Sequence, residues 1–217
     1  MKILFVETRK KIRDSEIDFS VLDKIDGKKI SVGATVQYLG LISKVKNYLE
    51  KKGKKVLVKK GVKYAGHVLG CNSTAFDVSA DTFLLITDGK FHAINNAVQL
   101  DREIIVFNGK KLEKIERKEI DEYKKKIVAK KKIFFSSDVV GLLQSTKTGQ
   151  KNDAVNLIKK KIEKLGKEVY IFESDVVNIS EFENFPQIKI WVNTACFGLA
   201  MDDKRIINLV DILKYLK

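Results

Sequence analysis

A chain of 217 residues, 44% of them apolar, is long enough for one large domain or two small ones and too apolar for disorder. No apolar run is long enough to span a bilayer as a helix, so a membrane protein of that kind is excluded. The formal net charge of +14 invites a nucleic-acid reading, but arginine, the better reader of phosphate and base edges, occurs only at Arg9, Arg13, Arg102, Arg117 and Arg205. The lysines are spread over helix faces and turns such as Lys51-Lys52-Gly53-Lys54-Lys55, which describes a solvated surface rather than a nucleic-acid groove. Lysine and glutamate enrichment also suits a protein from a hot environment, and a basic face suits an acidic or RNA-carrying partner.

In chain order, Met1-Lys2-Ile3-Leu4-Phe5-Val6 is a short apolar strand without the long apolar stretch and cleavage site of a signal peptide, so a cytoplasmic protein is expected. Strands are predicted at Lys2–Glu7, Lys29–Gly33, Lys55–Lys59, His67–Gly70, Thr82–Thr87, Glu103–Asn108, Ile133–Ser136, Glu168–Glu173 and Ile188–Asn193. Helices are predicted at Gly40–Lys52, Arg117–Ala129, Asp153–Leu165 and Lys204–Tyr215. The alternation argues for an α/β protein with parallel sheets. The single proline, Pro186, and the lack of a Ser/Gly-rich stretch argue against a flexible linker.

An internal repeat organises the chain. VKNYLEKKGKKVLV (Val45–Val58) and IKKKIEKLGKEVYI (Ile158–Ile171) each read as an amphipathic helix, a glycine and a basic step into a strand. Gly53 and Gly166 stand where a helix end takes a left-handed residue. Each helix follows a strand and a glutamine-containing loop, with Gln37 in the first copy and Gln150 in the second. Two related parallel-sheet βαβ modules follow, with Gly53 matching Gly166 and Val56 matching Val169. The expected division is 1–27 as a strand and connection, 28–130 as one α/β domain and 131–217 as another.

In parallel sheets, ligands bind beyond the carboxyl ends of the strands. Four predicted strand-end segments carry chemistry there: Cys71 after His67–Gly70, Cys196 after the strand ending at Asn193, Asp88-Gly89-Lys90-Phe91-His92, and Ser145-Thr146-Lys147-Thr148-Gly149-Gln150. The two cysteines are too far apart for a CxxC knuckle, and in a cytosolic chain a disulfide is not expected. Read from the residues alone, they are either two small buried hydrophobes or ligands of one site. His67 reads as a packed or surface histidine, Asp88 as a turn cap beside Gly89, and Trp191 as core.

Several stretches together resemble the archaeal-type diphthamide synthase family: Gly33-Ala34-Thr35-Val36-Gln37-Tyr38, Gly66-His67-Val68-Leu69-Gly70-Cys71, Ala80-Asp81-Thr82 through Phe91-His92, Thr146-Lys147-Thr148-Gly149-Gln150 and Val192-Asn193-Thr194-Ala195-Cys196. The resemblance implies three related α/β domains, each presenting one cysteine to a central 4Fe-4S cluster. One iron keeps an open position for S-adenosylmethionine, whose cleavage gives a 3-amino-3-carboxypropyl radical that adds to a histidine of elongation factor 2. Thiolates suit such clusters because sulfur is a soft ligand.

Cys71 and Cys196 are then the ligands of the second and third domains, with their sulfurs expected close in space. Thr35, Gln37, Asp88, His92, Thr146 and Gln150 are candidates for binding S-adenosylmethionine. Met1–Thr8 resembles the last strand of the first domain, and the chain holds no third cysteine. The expected partners are therefore elongation factor 2 as substrate and a separate first-domain polypeptide carrying that cysteine, with homo-oligomerisation open and with no membrane and no direct nucleic-acid contact. The rival readings are a non-catalytic scaffold subunit or degenerate paralogue of that enzyme, and an RNA-binding protein. No aromatic stacking signature or arginine cluster supports the latter.

Overall fold

The computed structural model describes residues 6–216. The chain separates into two compact units, Met1–Glu122 and Tyr123–Lys217, with the division inside one long helix.

In the first unit, β1 (Lys29–Ala34) leads through a 3-10 turn (Val36–Leu41) into α1 (Ile42–Lys51) and β2 (Lys55–Leu57). There follow β3 (Thr82–Ile86), α2 (Phe91–Leu100), β4 (Ile104–Phe107), β5 (Leu112–Ile115) and the start of α3 (Arg117–Ser136). The sheet order is β2-β1-β3-β4-β5, parallel except for β5, which pairs antiparallel with β4. Both faces are covered, which is why the strands read as near-continuous apolar runs. Ile30, Val32, Leu84 and Ile86 pack under α1 with Val45 and Leu49, while Phe83, Leu85 and Val106 face α2 with Ala93 and Ala97. Leu22 and Ile25, ahead of β1, are part of the first of these cores.

The second unit runs from the end of α3 through β6 (Val139–Ser145), α4 (Val155–Glu163), β7 (Glu168–Ser174), β8 (Trp191–Asn193), α5 (Leu199–Asp202), β9 (Ile206–Asn208) and α6 (Leu209–Ile212). Its sheet order is β7-β6-β8-β9, all parallel. Val140, Leu142 and Val192 pack under α4 against Ile158 and Ile162. On the other face Trp191, 1% exposed, stacks on Phe182 with ring centroids 4.1 Å apart, as expected of a core residue.

The repeat is a repeat of fold. In each unit a strand, a helix and an edge strand follow in the same order, and Gly53 and Gly166 carry φ of +78° and +79°. Val56 pairs with Ile30 and Val169 with Val140, so the two glycines lie at the same distance from matching pairs. Counted from the strands, Thr35 aligns with Ser145 and Gln37 with Lys147. Counted back from the two glycines, Gln37 and Gln150 align, each 16 residues before its glycine, so the segment between strand and glycine is three residues longer in the second unit.

Several elements differ from the sequence expectation. The predicted strand His67–Gly70 is a single parallel bridge from His67 to Ala34 followed by a tight turn in which Leu69 and Asn72 exchange backbone hydrogen bonds. Ile133–Ser136 is not a strand but the last turn of α3, where Phe134 is buried and Phe135 exposed, the split that a helical period gives to adjacent residues. The helix predicted over Lys204–Tyr215 begins as β9, and α2 and β5 were unforeseen. The predicted strand Lys2–Glu7 lies outside the described residues up to Phe5, and Val6 and Glu7 are in neither strand nor helix.

An alanine at a left-handed position is strained even where space is open, as it is around both Gly53 and Gly166. Gly53→Ala and Gly166→Ala are each expected to lower the stability of their own unit by about 1 kcal/mol, read by urea unfolding.

Candidate functional site

In the first unit the carboxyl ends of β1, β3 and β4 converge. Thr35, 4% exposed, takes its amide to the Ile86 carbonyl at 3.2 Å, and its Oγ1 lies 3.2 Å from Thr87 Oγ1. In front of this hydroxyl pair, Lys10 Nζ donates to Tyr38 OH at 2.9 Å and to Asp88 Oδ2 at 3.3 Å. The Lys10–Asp88 pair is half exposed and adds little stability, but it ties the segment before β1 to the loop after β3. Burial pushes the Tyr38 phenol up, and the Asp88 carboxylate acts in the same direction against Lys10. Gln37 is exposed on the wall of a cleft of about 320 Å³ that Lys10, Arg13, Tyr38 and Lys44 also line. The structure thus brings Thr35, Gln37 and Asp88 into one neighbourhood.

Cys71 stands in a second neighbourhood of the same unit. It occupies the turn Leu69–Asn72, just beyond the bridge to the end of β1, and its thiol is free and exposed. The turn leans on the first residues of α2: a Cβ built on Gly70 would lie 3.2 Å from the Phe91 ring and 3.7 Å from the His92 imidazole. The Phe91 and His92 rings meet edge to face at 5.1 Å. Asn96 Nδ2 donates to the Leu69 carbonyl at 2.9 Å, and Gln99 Nε2 to the Gly70 carbonyl at 2.8 Å. Burial alone holds the His92 imidazole below its ordinary value, so the ring beside the Cys71 turn is a neutral group at pH 7. His67 is 7% exposed, packs near Tyr64 and is also held down by burial.

In the second unit Cys196 is likewise free and exposed, in the loop after β8. Asn193 shapes that loop. Its Nδ2 donates to the Cys196 carbonyl at 2.8 Å and to Asn208 Oδ1 at 2.8 Å, while its Oδ1 accepts from the Ala195 amide at 2.9 Å. Asn208, the register partner of Asn193 on β9, donates to the Phe197 carbonyl at 3.2 Å. Thr194 Oγ1 donates to the Leu143 carbonyl at 2.8 Å, anchoring the loop to β6. Thr146 and Gln150 lie in the exposed loop after β6, where Thr146 Oγ1 stands 3.4 Å from Asp175 Oδ1.

Three findings place the chain among known proteins. The diphthamide synthesis protein family model matches residues 1–206. The chain belongs to the diphthamide synthesis family. It is 29% identical over 188 residues to the 2-(3-amino-3-carboxypropyl)histidine synthase of Pyrococcus horikoshii, a match that takes in 82% of this chain and 52% of that protein. The synthase of the same name from Methanocaldococcus jannaschii is 28% identical over 179 residues, or 75% of this chain and 52% of that protein. The chain therefore spans about half the length of these relatives. The crystal structure of Dph2 from Pyrococcus horikoshii superposes with a TM-score of 0.79 at 25% identity, covering 92% of this chain and 60% of that one. A second crystal structure of that protein, with a 4Fe-4S cluster, gives 0.78 at 26% identity and covers 88% of this chain and 57% of that one.

The donors present fit such a cluster in part. Each unit offers one free, exposed thiol, the ligand chemistry an iron–sulfur cluster takes. The sequence holds no further cysteine, and among the described residues no three His, Cys, Asp or Glu side chains are grouped to hold a metal. Two thiolates do not complete the ligand set of a 4Fe-4S cluster. The residues that sequence reasoning passed over are the amides Asn96, Gln99 and Asn208, and the role of Asn193. Their signal was a polar side chain inside or ending an apolar run, as in Ala93-Ile94-Asn95-Asn96-Ala97-Val98 and Ile206-Ile207-Asn208.

Because both imidazoles are held below their ordinary value, the unfolded chain binds protons that the folded chain refuses once the pH falls through the unfolded value, so stability is lost as pH drops below about 6.5. Proton NMR titration of the two Cε1–H signals is expected to give midpoints below 6.5 for both residues. A midpoint at or above that value for His92 contradicts its burial beside the Cys71 turn.

Proposed function

We propose that this chain is part of the enzyme that transfers a 3-amino-3-carboxypropyl group from S-adenosylmethionine to a histidine of elongation factor 2. Cys71 and Cys196 are two thiolate ligands of a 4Fe-4S cluster, and a separate first-domain polypeptide supplies the third. The observation that carries this reading is the presentation of the thiols. In a member of this family, the chain's two cysteines are both free and exposed, each in a loop fixed by hydrogen bonds, Cys71 after a bridge to β1 and Cys196 after β8. A cysteine kept only as a small hydrophobe is buried, which neither is.

A bound cluster, with Cys71 and Cys196 among its ligands, would supply the iron chemistry for cleaving S-adenosylmethionine. The chain's own residues bind and orient. Gln37 and Asp88 on one unit, and Thr146 and Gln150 on the other, are exposed at strand ends and offer hydrogen bonds to the amino and carboxylate groups of the methionyl part. Thr35 is buried with its hydroxyl against that of Thr87 and serves by fixing the strand end rather than by touching the substrate. The neutral His92, half-buried against Phe91, provides an uncharged wall beside Cys71. A cytoplasmic location accords with a substrate of the translation machinery, and no described helix is long and apolar enough to cross a membrane.

The shortage of thiols favours one other reading, a non-catalytic subunit that scaffolds an active partner. Anaerobic reconstitution with iron and sulfide separates the two. The chain is tested alone and mixed with a first-domain polypeptide of this family, and the readout is transfer of labelled aminocarboxypropyl to elongation factor 2. Transfer is expected only in the mixture, falling by roughly a hundredfold with Cys71→Ala or Cys196→Ala, the upper end of what loss of a ligand's supporting partner alone costs. Transfer that survives both substitutions makes the chain a scaffold. Full transfer by the chain alone removes the second polypeptide from the account.

A further inference from the structure

The loops that carry the two thiols are held by amide side chains, and the two units do this with residues that do not correspond. In the second unit the clamp is the pair Asn193 and Asn208 at the carboxyl ends of β8 and β9. The register that aligns Val56 with Val169 places Leu85 and Val106 at the matching positions of the first unit, and both are apolar core. There the clamp comes from a different element, α2, through Asn96 and Gln99. Inheritance from one duplicated ancestor does not give the same device by different residues, so the shared feature is the demand on the loop rather than the ancestry of the clamp.

The first clamp also has a cost. Gly70 is buried, and the Leu69 carbonyl already accepts the Asn72 amide at 3.1 Å, so the turn does not depend on an amide side chain for its backbone pairing. Asn96, 0% exposed, nonetheless serves Leu69 through Nδ2, which also donates to the His92 carbonyl at 2.7 Å, while among the described residues its Oδ1 is buried without a partner. A buried unpaired oxygen is destabilising, and a leucine of similar volume avoids it. The Asn193–Asn208 pair is nearly as buried, at 3% exposure for each residue. Both clamps grip carbonyls within two residues of the sulfur-bearing residue: Leu69 and Gly70 before Cys71, and Cys196 itself with Phe197 after it.

We propose that Asn96 and Gln99 are positioning residues for Cys71, and that Asn193 and Asn208 are positioning residues for Cys196. Each pair fixes the backbone from which the thiol projects, so that the sulfur is set before any metal arrives. This rests on the reading of both thiols as ligands, since a rigid cluster is best met by ligands whose direction is already fixed.

Site-directed spin labelling of the whole chain tests the clamps without iron. With Cys196→Ala a nitroxide is placed on Cys71 alone, and with Cys71→Ala on Cys196 alone. The label is expected to be immobilised at both sites. Gln99 lies on the surface, so Gln99→Met removes its donor and leaves the fold intact. It is expected to raise the mobile fraction of the Cys71 label roughly fivefold, the factor set by loss of one typical hydrogen bond, and to leave the Cys196 label unchanged. Gln99→Lys, which restores a donor, is expected to return the label to its immobile state.

Asn208→Asp keeps the oxygen that accepts from Asn193 but loses the donor to Phe197, and is expected to free the Cys196 label alone. Should the buried carboxylate unfold that unit, the Gln99 variants decide the matter by themselves. Equal label mobility in the parent and Gln99→Met overturns the inference, as does equal mobility in Gln99→Met and Gln99→Lys. The cluster reading fails separately, by the absence of a reduced-cluster resonance in reconstituted parent enzyme.

Discussion

The chain must return to its starting edge before the next parallel strand can begin, so the loops that leave the carboxyl ends of the strands all lie along one edge of the sheet. The candidate chemistry of both units follows from that constraint. In the first, β1, β3 and β4 end together, and the ends are occupied by Thr35, Thr87 and Asp88, with Cys71 in the turn that follows the bridge to β1. In the second, β6, β8 and β9 deliver Thr146, Cys196 and Asn208 to one edge. Helices α1 and α4 make the first return in each unit, and α1 also contributes Lys44 to the cleft beside Gln37. They bury their apolar faces under the sheet and keep their six lysines out of the core.

Proximity of loops is not the same as precision, and surface loops are ordinarily mobile. Buried amides are what this chain adds. An amide side chain suits the task because it both donates and accepts and carries no charge to desolvate, so it can sit among apolar residues and still grip a carbonyl. Asn193 uses both ends, accepting from Ala195 while donating to Cys196 and Asn208. Lys130 supports the same stretch from α3, with its half-buried ammonium donating to the carbonyls of Ala200 and Asp203, and burial lowers its pKa.

The α/β class, the two modules and the glycine-punctuated helices were legible in the sequence because each rests on a local signal: an amphipathic period, a left-handed cap, an apolar run. What escaped has a physical reason in each case. Helix α2 lacks a charged outer stripe, since Ala93, Asn95, Asn96 and Ala97 are all buried, so its sequence shows no polar face. Ile133-Phe134-Phe135 reads as a strand on composition, yet the lysine-rich helix before it continues for want of a breaker, and the strand starts only at Val139. Strand β9 is three residues long and merges with the helical pattern behind it. Within the candidate site, residue types at strand ends were readable from the sequence. The clamps were not, because a hydrogen bond from Gln99 to Gly70 depends on where α2 lies, and no spacing in the chain encodes that.

The central claim is that the two thiols serve one metal centre. Mössbauer spectroscopy of isotopically enriched iron tests it most directly, on the chain reconstituted anaerobically with a first-domain polypeptide of the family. The account predicts the quadrupole doublet of a 4Fe-4S cluster in the parent, and its loss when either Cys71 or Cys196 is replaced by alanine. An unchanged doublet in the chain lacking both cysteines contradicts it, because the cluster would then owe nothing to this protein.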